Sequence, residues 1–574
     1  MMQNKSDKVK MLTLLAISLA IYAFHSSSLI DYAYDDAFIS FRYAENLANG
    51  HGLVYNIGER VEGYTNFLWT VMLAGAIKLG ADPLVLAKIL GVVFALATMF
   101  LIIPFSALAT GRTGWPSALP TLFLACSGPF VAWAQWGLEG GMFTFFTTLG
   151  LFLFLKALTD GISFAYCSLA FVIAALTRPE GIIFFGVSFI YYLLLVRQAN
   201  RLRAERNEQE RGASPKAVTK SSPARLADLA SAVRLNLFPI RIAQLATPFA
   251  IIYGIYYGWR FSYYGCPFPN TYYVRMAGTL GAYLQQWVRG LKYISDFLWS
   301  GGGVVVLVLV ALLWITFRPA RRSPLSFLSI FCVVPIVYSM HVGGDSKHFH
   351  RLLMPYLPLL YVLVAESLLG VFRLVVQVKS NLRMRSVGRM VFVAFVAGLI
   401  LYTYYFPTLL FFAEGKPTFP TWSLLRGRTP SYEAVKGYEW QKRLVGEWLR
   451  KHAPKGTTIA TTVAGVTPYY SKLYTYDMLG VTNEHIAHTE PQPNRIVSVD
   501  VKATFPDRPP GLVKNFLITS HLKSDNEYII RENPTLVIEG YDIAFRKAGY
   551  KRFRMPADGF VQYYFAKRPV RFLP

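Results

Sequence analysis

The chain has 574 residues, 53% hydrophobic, 15% aromatic and only 16% charged; with a positive mean hydropathy this excludes the soluble globular class and points to an integral membrane protein. A formal charge of +25 would suggest a nucleic-acid partner in a soluble protein, but the Lys and Arg cluster in short segments between apolar stretches, as the positive-inside rule expects, so nucleic acid is discounted. Cys126, Cys167 and Cys332 lie in apolar stretches, Cys266 beside one, and the polar C-terminal third has none, which leaves no disulfide framework and no Cys-based metal site.

Lys5, Lys8 and Lys10 precede the first apolar stretch, 11–30, and no small-residue cleavage site follows. It is expected to be a retained helix with a cytoplasmic N-terminus. The next segment, 31–83, opens on Asp35 and Asp36, followed by an amphipathic run over 38–47 that ends at Gly50. Adjacent carboxylates at a lipid boundary need water, a cation, a helix terminus or a substrate to answer them. One can serve as a helix N-cap, and the second still needs a partner. A polar hinge, Glu62 to Asn66, then leads into the short apolar run 67–79. Its Asn and Thr suit a helix cap as well as a substrate contact.

A bilayer core of about 30 Å takes roughly 20 apolar residues per helix, which gives about eleven spans. They fall near 11–30, 84–109, 117–133, 138–158, 162–176, 182–196, 242–259, 298–317, 325–342, 352–372 and 390–406. Charge parity decides the status of 67–79. Read as an interfacial helix, it leaves in the cytoplasm the loop at Arg112, the basic loop 197–241, and the clusters Arg318, Arg321, Arg322 and Lys379, Arg383, Arg385, Arg389. Read as a span, it would put them all outside, against the rule. With the first choice, 34–65, 136–139, 178–181, 266–302, 341–351 and the tail after 407 share the external face. The tail, 407–574, is expected to be a separate α/β domain, with a helix over 433–452 and strands over 457–463, 535–538 and 561–565.

The charges on that face define a candidate site. Glu139 ends a span, and Arg178 with Glu180 flanks a Pro-Gly turn where the two can simply pair with each other. In the segment Gly343 to Arg351, a basic loop on the outer side calls for an anionic partner, and Arg351 and Lys347 suit a phosphate. His348 and His350 lack convincing zinc spacing.

Several of these blocks together resemble a known family. YDDAFISFRYAENLANGHGLVYNIGERVEGYTNFLW at 34–69, GLE at 137, LTRPEG at 176, PNTYY at 269, GGD followed by HRLLMP from 343, and DMLGVTNEHI at 477 are similar, in the same order, to elements of the bacterial GT-C glycosyltransferases close to the mycobacterial terminal arabinofuranosyltransferases. The resemblance runs over nearly the whole chain. It implies a GT-C-like helical bundle over 1–406 with interfacial helices in the first external loop, a periplasmic C-terminal α/β domain over 407–574, and residence in a bacterial inner membrane. It also implies a polyprenyl-phosphate sugar as donor, a cell-envelope glycan as acceptor, and transfer on the periplasmic side. On matching motifs Asp35 and Asp36 take the catalytic role, while Arg42, Tyr43, Glu62, Tyr64, Asn66, Glu139, Arg178, Glu180, Asp345, Lys347, His350 and Arg351 are expected at the substrate. A divalent cation, Mg²⁺ or Mn²⁺, is left open, with Asp35 or Asp36 as its ligand if one takes part.

Two other readings compete with transfer of a pentose or hexose. A lipid or lipid-linked-sugar flippase would carry its charges near mid-membrane, whereas here they sit at one set of span ends. A noncatalytic anchor for the C-terminal domain would tolerate loss of Asp35.

Overall fold

The computed structural model describes residues 5–212, 237–276, 278–300, 322–345, 349–377, 432–490, 523–538, 543–556 and 562–573. The expected span 390–406, nearly all of 298–317, much of the basic loop 197–241, and Lys347 and His348 lie outside them. Among the described residues the helices are α1 Lys5–Ser27, α2 Asp35–Ala48, α3 Phe67–Lys78, α4 Pro83–Thr110, α5 Trp115–Cys126, α6 Gly128–Gln135, α7 Gly140–Thr159, α8 Ala165–Thr177, α9 Gly181–Gly212, α10 Phe238–Tyr264, α11 Asn270–Arg275, α12 Leu280–Ser300, α13 Arg322–Val342 and, after a 3₁₀ turn Arg351–Tyr356, α14 Leu357–Gln377. Seven of these helices are long and apolar enough to cross a membrane, or eight if α5 and α6 count as one bent span; α3 and α8 are shorter apolar helices.

The stretch expected as one span over 117–133 is two helices bent by 65°. Pro129 has no N–H to give to the carbonyl of Ala125 four residues back, and that carbonyl instead accepts from Nδ1 of the buried His25 at 3.2 Å. Ser26 Oγ donates to Gln135 Oε1 at 2.7 Å, and Gln135 Nε2 donates back to the Ser26 carbonyl at 3.0 Å. α1 therefore splints the break at both helices. Where α4 crosses the C-terminal end of α6, a Cβ on Gly91 would sit 1.6 Å from the Ala134 carbonyl oxygen, so the backbones touch as small residues allow.

Helix starts follow their local chemistry. Asp82 caps α4, accepting from Leu84 and Val85 N–H at 2.8 and 2.9 Å, with Pro83 in the first turn. At α2 the cap position belongs to Tyr34, which makes no side-chain cap bond, and both aspartates fall in the first turn. The expectation that one of them is spent as an N-cap is corrected: both carboxylates are turned to partners outside the helix. Asn66 precedes α3 without capping it. The amphipathic helix α12 within 266–302 was not anticipated from the sequence.

The C-terminal unit contains α15 Tyr432–His452, β1 Thr458–Thr461, α16 Val466–Ser471, β2 Tyr474–Asp477, α17 Glu484–His488, α18 Asn526–Glu532, β3 Leu536–Val537, α19 Ile543–Lys547, β4 Lys551–Arg554 and β5 Tyr563–Ala566. The sheet order is β2-β1-β3-β5-β4, with β1 parallel to β2 and β3, and β5 antiparallel to β3 and β4. Successive strand residues face opposite layers. Ile459, Leu536 and Tyr564 pack with Val445 and Leu449 of α15, while Ala460, Val537 and Phe565 pack with Ile486, Ile529 and Phe545. The helix and three strands expected in the tail are present; β2 and β4 were missed.

Candidate active site

Two arginines organise the charges at one end of the bundle. Arg178, just after α8, donates from Nη1 to Glu139 Oε1 at 2.6 Å and from Nη2 to Glu180 Oε1 at 2.7 Å. Tyr338 of α13 adds a 2.8 Å hydroxyl donation to the same Glu180 oxygen. Burial alone would raise the Glu180 carboxyl, but the Arg178 guanidinium beside it brings it down to about 2. The expected Arg178 to Glu180 pairing is there, extended to Glu139. Glu139 in turn accepts from Asn66 Nδ2 at 2.6 Å, and Asn66 Oδ1 accepts from Ser40 and Thr70 hydroxyls at 3.0 Å each. The hinge asparagine thus ties α2 and α3 to the charge cluster.

Arg351 donates from Nε at 3.0 Å and Nη2 at 2.9 Å to Asp345, whose side chain is fully buried, and from Nη1 at 3.2 Å to Asp36. Its guanidinium lies 5.5 Å from the centre of the Trp133 ring, within cation–π range. Two consecutive left-handed residues, Phe349 at φ 57° and His350 at φ 45°, deliver it there, a costly backbone for side chains with a Cβ. Trp133 Nε1 secures that turn by donating to the Phe349 carbonyl at 3.1 Å. Arg351, Arg178, Glu139, Glu180, Tyr338 and Trp133 line one narrow cavity.

The two aspartates of α2 face different ways. Asp36, with its side chain 28% exposed, meets Arg351. Asp35, 11% exposed, accepts from the N–H groups of Gly465 and Val466 at 3.1 and 2.8 Å and lies 3.6 Å from Lys442 Nζ.

Of the expected substrate contacts, the structure groups Asn66, Glu139, Arg178, Glu180, Asp345 and Arg351 with Asp36. It places others elsewhere. Arg42 is 7% exposed and donates to the carbonyls of Tyr55, Pro468 and Leu473 at 2.8, 3.0 and 2.8 Å, so it stitches α2 to the C-terminal unit. Tyr43 donates to the Val61 carbonyl at 2.5 Å and accepts from Gly63 N–H at 2.8 Å, and its ring packs on Tyr64. Glu62 pairs with Arg260 of α10 at 2.5 and 3.0 Å; burial pushes its carboxyl up to about 7 even with that cation beside it. His350 packs edge-on against Tyr293 and Phe297. Among the described residues no three His, Cys, Asp or Glu side chains converge on a metal position.

The sequence reading missed Trp133, Tyr338, Lys442 and the Gly465–Val466 amides. A Trp or Tyr inside an apolar span carries no functional signal of its own, and the last two come from the far end of the chain. Two motifs that carried the resemblance turn out to clamp each other: Asn270 Nδ2 donates to the carbonyls of Gly480, Val481 and Asn483 at 2.6, 3.1 and 3.1 Å.

Residues 432–567 match a family model described as a domain of unknown function, DUF8728. The chain is similar to the terminal β-(1→2)-arabinofuranosyltransferase of Corynebacterium glutamicum, 27% identical over 386 residues, 60% of this chain and 49% of that protein. It is similar to the Mycobacterium tuberculosis protein of the same name, 26% identical over 368 residues, 56% of this chain and 50% of that protein. The match spans about half the length of these curated relatives. Among solved structures it is similar to the archaeal oligosaccharyltransferase AglB from Archaeoglobus fulgidus, in complex with an inhibitory peptide and a dolichol-phosphate. That likeness has a TM-score of 0.52 and 11% identity, and covers 98% of this chain and 75% of that one. The chain shares that fold, the GT-C architecture its sequence pointed to.

Proposed function

We propose that this protein is a membrane glycosyltransferase that moves a sugar from a polyprenyl-phosphate donor to a hydroxyl of a cell-envelope glycan, at the periplasmic face of a bacterial inner membrane. The observation that carries this reading is the meeting of Asp36, one of the acidic pair on α2, with the Arg351 guanidinium beside the Arg178 cavity. Its chemical parts are those the reaction needs. A planar guanidinium suits a phosphate, and carboxylates suit both a cationic sugar and an acceptor proton. The names of the curated relatives make arabinofuranose the first sugar to test.

In the resting structure both guanidiniums are answered by carboxylates, so the donor phosphate enters by exchange. Arg351 keeps Asp345 through Nε and Nη2, and its Nη1 edge passes from Asp36 to the phosphate. The bond from the sugar's anomeric carbon to the phosphate oxygen breaks, and its electron pair leaves with the phosphate. Positive charge then develops on the sugar within reach of the freed carboxylate. The acceptor oxygen bonds to that carbon and gives up its proton to a carboxylate of the pair.

The test is release of polyprenyl phosphate from a panel of lipid-linked sugars in the presence of envelope glycan, comparing wild type with Asp35→Asn and Asp36→Asn. Turnover by wild type, lost in a folded variant, is expected. A folded wild type that releases no polyprenyl phosphate from any donor refutes the assignment.

A further inference from the structure

The C-terminal unit reaches into the acidic pair itself. Lys442 of α15 is 4% exposed, with Nζ 3.6 Å from Asp35 Oδ1 and 3.1 Å from Glu439 Oε1. The loop before α16 supplies the Gly465 and Val466 N–H groups, one to each oxygen of the same carboxylate. The approach leaves no room for a side chain: a Cβ on Gly465 would lie 2.0 Å from the Asp35 carbonyl oxygen and 2.5 Å from its carboxylate. The rest of the junction repeats the pattern around this point, with Tyr55 Oη donating to the Ala464 carbonyl at 2.5 Å and Asn56 Nδ2 to the Thr475 carbonyl at 3.0 Å.

We propose that the C-terminal unit completes the active site, with Lys442 and the Gly465–Val466 amides as positioning groups that hold Asp35, and through it the first turn of α2, at the reacting centre. This rests on the glycosyltransfer reading above. The physical argument is one of pre-organisation. A surface carboxylate rotates and takes water; one gripped by two amides, with an ammonium group at ion-pair distance, keeps a single orientation. The backbone that carries it also carries Asp36, one residue on, so the same grip sets the distance from Asp36 to Arg351. Lys442 further offsets the mutual repulsion of Asp35, Asp36 and Glu439, which would otherwise push the start of α2 outward. A matched family of unknown function would thereby acquire a role: its helix and its loop hold, from outside the cavity, the acid that neighbours Asp36.

The experiment uses the full chain in lipid nanodiscs and initial rates of polyprenyl-phosphate release. Lys442→Met is expected to lower kcat by roughly 100-fold, the effect of misplacing a reacting group by about 1 Å, with the donor KM within about threefold of wild type. Lys442→Arg, which keeps the charge, is expected to recover most of the loss. Lys442→Gln serves the same comparison if the Met variant does not fold. Lys472→Ala is the control: it removes a docking ion pair with Glu45 away from the acidic pair and is expected to leave kcat unchanged. Retained kcat in folded Lys442→Met or Lys442→Gln overturns the inference alone. An equal loss in Lys472→Ala also overturns it, by showing that Lys442 serves docking only. A wild type that releases no polyprenyl phosphate overturns the glycosyltransfer reading and this inference with it.

Discussion

Replacing Arg42 by Met is expected to loosen the C-terminal unit from the bundle without touching the cavity. Arg42 makes two charge-assisted bonds across the junction to backbone carbonyls, at 3.0 Å to Pro468 and 2.8 Å to Leu473. Further donations go to the Tyr55 carbonyl, at 2.8 Å, and the Asn56 side chain, at 3.2 Å, on its own side. Hydrogen bonds from a charged donor contribute about 1.5–3 kcal/mol each. Counting only these two short bonds, leaving aside the longer crossing donation to Thr475 Oγ1 at 3.4 Å, and allowing for incomplete additivity between neighbours, the loss is about 3–4 kcal/mol. At about 1.4 kcal/mol per tenfold, the undocked population rises by roughly 10²- to 10³-fold. Limited proteolysis reads this directly, because cleavage tracks the open population when opening and closing are fast relative to cutting. The Lys472 and Glu45 pair at the same junction is 31% and 28% exposed, so Lys472→Ala is expected to cost at most about 1 kcal/mol. If Arg42→Met is cut no faster than Lys472→Ala, the junction does not depend on Arg42, and the substrate role suggested by the sequence returns to it.

Glu62 predicts a pH dependence of stability. Its folded value, about 7, lies above the ordinary 4.5, so between these values the native chain holds a proton that the unfolded chain has lost. The stability this adds is complete below the ordinary value and disappears as pH rises through about 7. The apparent unfolding temperature is therefore expected to fall across that window in wild type and to fall less in Glu62→Gln; parallel curves refute the assignment. Gly91→Ala places a Cβ 1.6 Å from the Ala134 carbonyl oxygen and is expected to abolish the monodisperse folded peak in size-exclusion chromatography. A normal peak would show that α4 does not cross the end of α6 at backbone distance.

What the sequence carried was local. Apolar length located the helices now assigned as α1, α4, α7, α9, α10, α13 and α14, because one residue every 1.5 Å must satisfy a fixed bilayer thickness. Asp35 and Asp36 stood out because carboxylates at an apolar boundary need partners. The Pro129 break was present in the residues, as Ser127-Gly128-Pro129, but the stretch around it is long and apolar enough to pass for one span. Which cation answers which carboxylate was not legible: Arg351 and Asp36 are 315 positions apart, and Arg42 and Pro468 are 426 apart. Polar residues in one motif, such as Arg42, Tyr43, Glu62 and Tyr64, look alike whether they face a substrate or a packed junction. Only the fold sorts them. The motif at 477–486 behaves the same way, since its carbonyls are held by Asn270 and its Asp477 accepts from its own loop at Leu479 and Thr482 N–H, 2.9 and 2.8 Å away.

The adjacency of the two aspartates has a geometric reason. Neighbouring residues on an α-helix project about 100° apart, so a pair in the first turn addresses two different surroundings from one fixed piece of backbone. Here one carboxylate meets the loop before α16 and the other meets Arg351. A single aspartate could not be held by two amides beside an ammonium group and also release Arg351 to an arriving phosphate, so in the proposed mechanism the two carboxylates divide these tasks. Inserting one residue between them would turn Asp36 by a further 100° and carry it off the cavity side, even though both charges would survive. The chemistry proposed for this site therefore depends on the register of α2 as much as on the identity of its acids, and the grip on Asp35 adds to the bonds of Ser40, Arg42 and Tyr43 that hold that register.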